Sequence, residues 1–438
     1  MTALLVNETH DPQQHSWLKS ANEGSSDFPL QNLPHSVFRR AGSSEAWRGG
    51  VAIGDQIVDL ESLAATGLCS GIAANSMRLA ASAPLNAFMA SGAVAWAAVR
   101  STLFNALKRD ASHQSRVRAC LLPQAEAEYA VPASIGDYTD FYTSIHHATN
   151  VGKLFRPDHP LLPNYSWVPV GYHGRSSSIL IATAPVRRPW GQTAPAAGAT
   201  QPSFQPCQKL DYEIELGAYI GPGNALGQPI TLDQAHSQLF GLCLLNDWSA
   251  RDIQAWEYQP LGPFLAKSFA TSVSPWIVTL EALRPFRVPL QRDPASATLP
   301  YLHSAENAAQ GAYDITLEVW LESERMRQRG IAPKKLSSTS YRHAHWTLSQ
   351  LVTHHTVNGC NLRPGDLLGT GTQSGPSDGE LGSLIELTKG GSTPLTLDGE
   401  TRTFLEDGDR VIFRGFCERA GAVRIAFGSL SALVLPAQ

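Results

Sequence analysis

The sequence predicts an α+β fold dominated by β-structure, and three observations carry that expectation. The chain has 438 residues, too many for one ordinary hydrophobic core, so two or three domains are expected. Its 36 glycines and 29 prolines punctuate the chain, and beyond residue 130 they cut it into short apolar runs that read as strands. One long segment, from Pro84 to Arg109, instead repeats its apolar residues at helical spacing.

Taken in order, residues 1 to about 35 are polar and weakly patterned, which predicts a loosely ordered arm. Gly49 to Leu60 places Gly54-Asp55 between two apolar runs, a two-residue hairpin signal. From Pro84, Leu85, Phe88, Met89, Trp96, Val99, Leu103 and Leu107 recur at three- and four-residue steps, predicting one helix with a core-facing stripe. Leu122-Pro123 and Val131-Pro132 then set a boundary, giving domains at 1–130 and 131–438. In the second domain, helices are expected around Leu232 to Phe240 and Trp346 to His355, and Pro185 to Phe204 reads as a loop. "GPGNALG", Gly221 to Gly227, lacks the strand-loop-helix context of a phosphate cradle and reads as a hairpin turn.

The bulk chemistry narrows the partner. A net charge of −4 and a pI near 6.4 exclude a strongly basic surface, so a small molecule is expected rather than nucleic acid or anionic lipid. The six cysteines show no C-x-x-C spacing and read as reduced, mostly buried thiols. The N-terminal segment has no basic flank and only a short apolar run, Ala3 to Val6. No run reaches membrane-spanning length, so the cytoplasm is the expected compartment.

"DYEIEL", Asp211 to Leu216, alternates acid and apolar residues. As a strand it sets Glu213 and Glu215 on one face, about 7 Å apart. Taken alone, such a row reads first as the solvated acidic face of a half-buried strand; the sharper alternative is a hard divalent cation that takes carboxylate oxygens. "DYTDFYTSIHHATNVGKLFR" packs Asp137, Asp140, Tyr142, His146, His147 and Arg156 closely; of two adjacent histidines, at most one faces a given site. Asp247 ends an apolar run that reads as a buried strand, where a carboxylate needs a partner or a metal. Arg251, Gln254, Tyr258 and Lys267 follow it with cations, an amide and a phenol suited to an anionic ligand. Thr370-Gly371-Thr372 allow close backbone approach, and Glu386 reads as a single acid in an apolar strand, in want of a partner such as histidine. His343-x-His345 with His354-His355 offers imidazoles but no nearby carboxylate, and reads as structural.

Together, "DYTDFYTSIHHATNVG", "PVGYHGRSSSI", "LDYEIELGAYIGPGN", "NDWSARDIQAWEYQPLGPFLAKSF", "THHTVNGCNLRPGDLLGTGTQSG" and "RTFLEDGDRVIF" closely resemble the fumarylacetoacetate hydrolase family over residues 130 to 436. The resemblance implies a small N-terminal SH3-like β-barrel domain before a larger β-sandwich/roll catalytic domain, in a homodimer. It implies hydrolysis of the carbon-carbon bond of the β-diketone 4-fumarylacetoacetate to fumarate and acetoacetate, the last step of tyrosine and phenylalanine catabolism. Asp140, Glu213, Glu215 and Asp247 match the family's Ca2+ ligands. Mg2+ is implied near Asp247, Lys267 and Thr271, with Lys267 offering its carbonyl because an ammonium cannot ligate. Substrate contacts match Tyr142, Arg156, Tyr172, Gln254, Tyr258 and Thr372. His147, held by Glu386, matches the proton acceptor, and Arg251, Gln254 and Lys267 the groups facing the oxyanion. Relatives of this fold also cleave acylpyruvates or isomerise and decarboxylate oxo acids; the His147 and Glu386 pair favours hydrolysis. A calcium-stabilised binding protein without turnover is the rival reading.

Overall fold

The computed structural model describes residues 6–292 and 298–438. Its centre is a mixed sheet built on the strand Leu239–Asp247, all nine residues of which are buried. On one side this strand pairs antiparallel with Ile214–Ile220, followed in order by Leu367–Gly369, Tyr138–Phe141 and Gly171–Gly174. On the other side it pairs with Thr271–Val273, and Ile179–Ile181 lies beyond. A buried strand that is apolar on both faces must be covered twice. Leu242 and Leu244 point into a core shared with Leu317, Phe413 and Phe427 of a second, five-stranded sheet. Cys243 and Leu245 point the other way, into a core shared with Val51, Phe88, Met89 and Leu103 of the N-terminal part.

In that N-terminal part the strands Leu121–Pro123, Gln56–Asp59, Arg48–Ile53, His35–Arg40 and Ala127–Ala130 pair antiparallel in an open row. Gly54, at φ +56, turns the expected hairpin. The molecule is therefore mixed and β-rich, as expected.

Several local expectations need correction. The arm is not loose: Leu18, Phe28, Leu30 and Leu33 are buried, and buried Arg100 donates to the carbonyls of Thr9, Gln31 and Asn32. Its order comes from a distant guanidinium, which local patterning cannot reveal; Ala3 to Leu5 lie outside the described residues. The single helix from Pro84 is two, Asn86–Ala90 and Gly92–Leu107, because Gly92 takes φ +78 between them. Residues 185–204 are not all loop, since Trp190–Thr193 pairs with Ser203–Pro206. Residues 221–227 are no hairpin turn: the connection from Ile220 to Leu239 is long and carries the short helix Leu232–Ala235. Glu386 lies in the helix Leu384–Leu387 rather than in a strand.

Candidate active site

A cavity of about 310 Å³ opens at one end of the central sheet, lined by side chains from several of these elements. Helix Ile145–Phe155 supplies the first group. Ser144 caps it by accepting the N–H of His147, which places the His147 ring in the cavity wall with only 2% exposure. Its Nδ1 lies 2.7 Å from Glu386 Oε2. Glu386 also accepts from Ser374 Oγ (2.9 Å), Ser383 Oγ (2.8 Å) and Asn150 Nδ2 (3.0 Å). Burial pushes the Glu386 carboxyl up, but the neighbouring imidazole and these donors outweigh it and hold the group below its ordinary value. A buried carboxylate so held fixes the ring and steadies its protonated form. His146 turns away, edge-on to His343 at 6.0 Å.

The four predicted acids meet in one buried group. Ligand atoms of Asp140, Glu213, Glu215 and Asp247 lie within 4.8 Å of one another. They come from three strands of the central sheet, two of them adjacent and the third, carrying Asp140, one strand further across Leu367–Gly369; Glu213 is the residue just before one of these strands. Among the described residues no histidine joins a group of this kind, so the set is oxygen only. Gly371 N–H donates to both Asp140 Oδ1 (3.1 Å) and Glu215 Oε2 (2.9 Å), while Glu215 Oε1 is buried without a partner. Burial, and after it the charges of the neighbouring acids, Asp247 above all for Asp140 and Asp140 for Glu215, push Asp140 and Glu215 well above the usual carboxylate range. Glu213 goes the other way: burial opposes ionisation, but Lys267 and Arg251 prevail and hold it low. Counting Asp211, five buried carboxylates face two buried cations, Lys267 and Arg251. Converging hard oxygens, an orphaned acceptor and surplus negative charge fit a divalent cation such as calcium or magnesium.

Lys267, from helix Leu265–Ser268, lays its ammonium on Glu213 Oε2 (2.8 Å) and Asp247 Oδ2 (2.6 Å). Burial disfavours the ammonium, yet Asp247 and Glu213 raise its pKa, so it stays charged. Thr271 Oγ1 donates to Asp247 Oδ1 at 3.1 Å, and Tyr172 OH to Asp247 Oδ2 at 2.6 Å. Arg251 opens helix Arg251–Glu257, pairing with Asp211 Oδ2 (2.9 Å) and Glu213 Oε1 (2.8 Å), and donating to Gln254 Oε1 (3.1 Å).

Tyr142, Arg156, Tyr172, Gln254 and Tyr258 all line the cavity; Tyr142 stands edge-on to His147 at 5.3 Å. Thr372 does not. It is fully buried with its hydroxyl unpartnered, and its neighbour Gly371 forms the wall. Nor do His343 and His345 belong: His343 lies 3.7 Å from Glu380, and His345 packs edge-on to Trp346.

Sequence reasoning missed the supports. Asn150 sits one turn from His147 and Ser383 one turn from Glu386, a signal that i, i+3 spacing could have given. The Gly371 N–H and Ser374 leave no such trace, because both reach their carboxylates across folds of the chain.

Comparison with known proteins gives a consistent result. Residues 31–132 match the family model described as fumarylacetoacetase N-terminal, and residues 138–431 that described as fumarylacetoacetate (FAA) hydrolase C-terminal. The chain is 47% identical over 420 residues to fumarylacetoacetase of Homo sapiens, covering 94% of this chain and 97% of that one. To fumarylacetoacetase of Oryza sativa subsp. japonica it is 45% identical over 419 residues, covering 94% and 95%. Among solved structures, fumarylacetoacetate hydrolase from the psychrophile Exiguobacterium antarcticum covers 93% of this chain and 100% of its own. Its TM-score of 0.51 at 18% identity speaks to the fold alone.

Proposed function

Because this chain belongs to the fumarylacetoacetate hydrolase family, we propose a division of labour among its cavity residues for the reaction it performs. That reaction is hydrolysis of fumarylacetoacetate at a carbon-carbon bond, giving fumarate and acetoacetate, and identity of 45–47% along nearly the whole chain carries the assignment.

The β-diketone places an electrophilic carbonyl beside a CH2 whose departing electron pair can delocalise onto the second carbonyl. In our reading His147 Nε2 takes a proton from water as its oxygen attacks the carbonyl of the fumaryl group. Glu386, on Nδ1, sets the tautomer that leaves Nε2 free and stabilises the imidazolium. Lys267 and Arg251, fixed by buried carboxylates before substrate arrives, face the oxyanion of the tetrahedral intermediate, with the Gln254 amide beside them. As that intermediate collapses, the carbon-carbon electron pair passes to the acetoacetate enolate, and the proton held by His147 returns to its carbon. Arg156, with Tyr142 and Tyr258, receives the substrate's carboxylates; Tyr172, also in the cavity wall, is assigned to substrate binding as well.

Asp140, Glu213, Glu215 and Asp247 would hold Ca2+, and Mg2+ would lie near Asp247, Lys267 and Thr271. A bound divalent ion supplies Lewis acidity toward the diketone oxygens. The same reading includes an SH3-like N-terminal domain at 1–130, a catalytic domain at 131–438, a homodimer and a cytoplasmic location.

The experiment follows the loss of fumarylacetoacetate absorbance with and without chelator, beside elemental analysis. Turnover lost on chelation and restored by calcium or magnesium is expected. Stoichiometric zinc or iron whose binding requires His343 and His345 would overturn the metal assignment.

A further inference from the structure

Asp211 opens the acidic row yet ligates nothing in the reading above. It is fully buried, and each of its oxygens accepts two N–H groups. Oδ1 takes those of Tyr212 (2.8 Å) and Leu384 (2.7 Å); Oδ2 takes Arg251 Nε (2.9 Å) and the N–H of Ile385 (3.1 Å). Leu384 and Ile385 form the first turn of the four-residue helix that carries Glu386. Ser383 precedes that turn but accepts none of its N–H groups, donating its hydroxyl to Glu386 instead, so the Asp211 carboxylate takes over the capping role. One side chain thus touches both the cation beside the oxyanion and the helix that holds the base's partner.

We propose that Asp211 is a positioning residue that locks the Arg251 guanidinium and the Glu386 helix to one point, so that the oxyanion-facing cation and the His147–Glu386 pair keep a fixed mutual geometry. This rests on the roles given above to Arg251, Glu386 and His147. The chemistry demands a carboxylate. Four donors converge, and an ionised carboxylate can accept from all of them, whereas an amide must aim its own NH2 at one pair. Asparagine therefore turns its NH2 against either Tyr212 and Leu384 or Arg251 and Ile385, so every orientation loses at least one helix N–H. Glu213 still pairs with Arg251 at 2.8 Å, so the guanidinium keeps an anionic partner when Asp211 is neutralised.

The test uses the full-length, metal-loaded enzyme. Asp211→Asn should lower kcat by about 10²-fold, the scale of a misplacement of about 1 Å in a catalytic group. KM, metal content and the affinity for an unreactive substrate analogue should stay within about threefold of wild type. Shared function then appears as non-additivity. Once Arg251→Gln or Glu386→Gln is in place, adding Asp211→Asn should cost far less than it does alone, in both double-mutant cycles. A purely structural role would instead scale the active fraction, multiply in both cycles and lower the melting temperature in step with activity; that result overturns the proposal. Coupling to Arg251 alone overturns the bridge. Should Asp211→Asn not fold, the Arg251→Gln/Glu386→Gln cycle reads the same link without touching Asp211: coupling supports the bridge and strict multiplicativity overturns it. Full activity in both Arg251→Gln and Glu386→Gln would overturn the underlying roles and this proposal together. Low activity in those two with normal activity in Asp211→Asn would overturn this proposal alone.

Discussion

Gly369 offers a perturbation whose size can be worked from the backbone. It ends the strand Leu367–Gly369, pairs with Asp140 in the neighbouring strand, and has no side chain where two acids converge. A methyl there would stand 2.3 Å from Asp140 Oδ1, 3.0 Å from its Cγ and 3.1 Å from Glu215 Oε2. Since real Cβ contacts stay beyond 3.0 Å, the Asp140 oxygen must retreat by at least 0.7 Å. Metal-oxygen distances tolerate about 0.2 Å, so Asp140 would leave the proposed ligand set. Gly369→Ala should weaken calcium or magnesium binding by about 100-fold, or about 2.8 kcal/mol at 1.4 kcal/mol per decade. Overpacking should cost the fold about 1–3 kcal/mol, leaving it intact. The assay is calorimetric titration of chelator-stripped protein with each ion, with kcat measured across metal concentration. Activity should recover as metal is raised. Gly379→Ala is the control, because its methyl meets nothing within 4 Å. Titration curves that overlay wild type would refute the reasoning, as would lost turnover that no metal concentration restores.

Three further outcomes are expected. His147→Asn should lower kcat by roughly 10²-fold or more with metal content unchanged, Glu386→Gln should lower it less, and the double variant should be little worse than His147→Asn; steady-state kinetics beside metal analysis checks this, and multiplicative losses would separate the two residues. Arg156→Lys keeps the charge but loses the planar fork, so KM should rise about tenfold, equivalent to about 1.4 kcal/mol, while kcat holds; equal turnover of the dicarboxylate and its neutral ester would refute the carboxylate role. Finally, His35 is buried between Phe88 and Phe240, and burial followed by the Arg100 charge lowers its pKa to about 3. The unfolded chain, with an imidazole near 6.5, then binds more protons below that pH, so stability falls as pH drops, by about 2 kcal/mol at pH 5. His35→Phe should flatten this loss in urea melts at pH 7 and 5, and an unchanged pH slope would refute it.

The sequence by itself determined the chemistry on offer. Period-two alternation in "DYEIEL" set Glu213 and Glu215 as neighbours, because side chains in a strand repeat every two residues whatever packs against them. The apolar run Leu242 to Leu245 marked a buried strand with Asp247 just beyond it, since a short uninterrupted apolar run fits a strand covered on both faces. The adjacent histidines permitted one site-facing ring, and the fold selects His147. Long ordered motifs carried the family resemblance, and with it residues that no spacing rule would join.

Tertiary structure decided which groups meet and what each becomes. Glu386 lies 239 positions from His147, yet the two are bonded. Its segment reads as a strand because Leu384, Ile385 and Leu387 are apolar; Asp211, 173 positions before Leu384, caps it into a helix instead. Arg100 orders an N-terminal arm that has no periodicity of its own. Three similar carboxyl groups diverge because they lie beside buried cations and buried acids in different measure: Glu213 is held low by Lys267 and Arg251, while Asp140 and Glu215 are pushed high. The physical reason is common to all of these. Periodicity and propensity act over a few residues, whereas electrostatics and hydrogen bonding act through space at a few ångströms, between parts of the chain that only folding brings together.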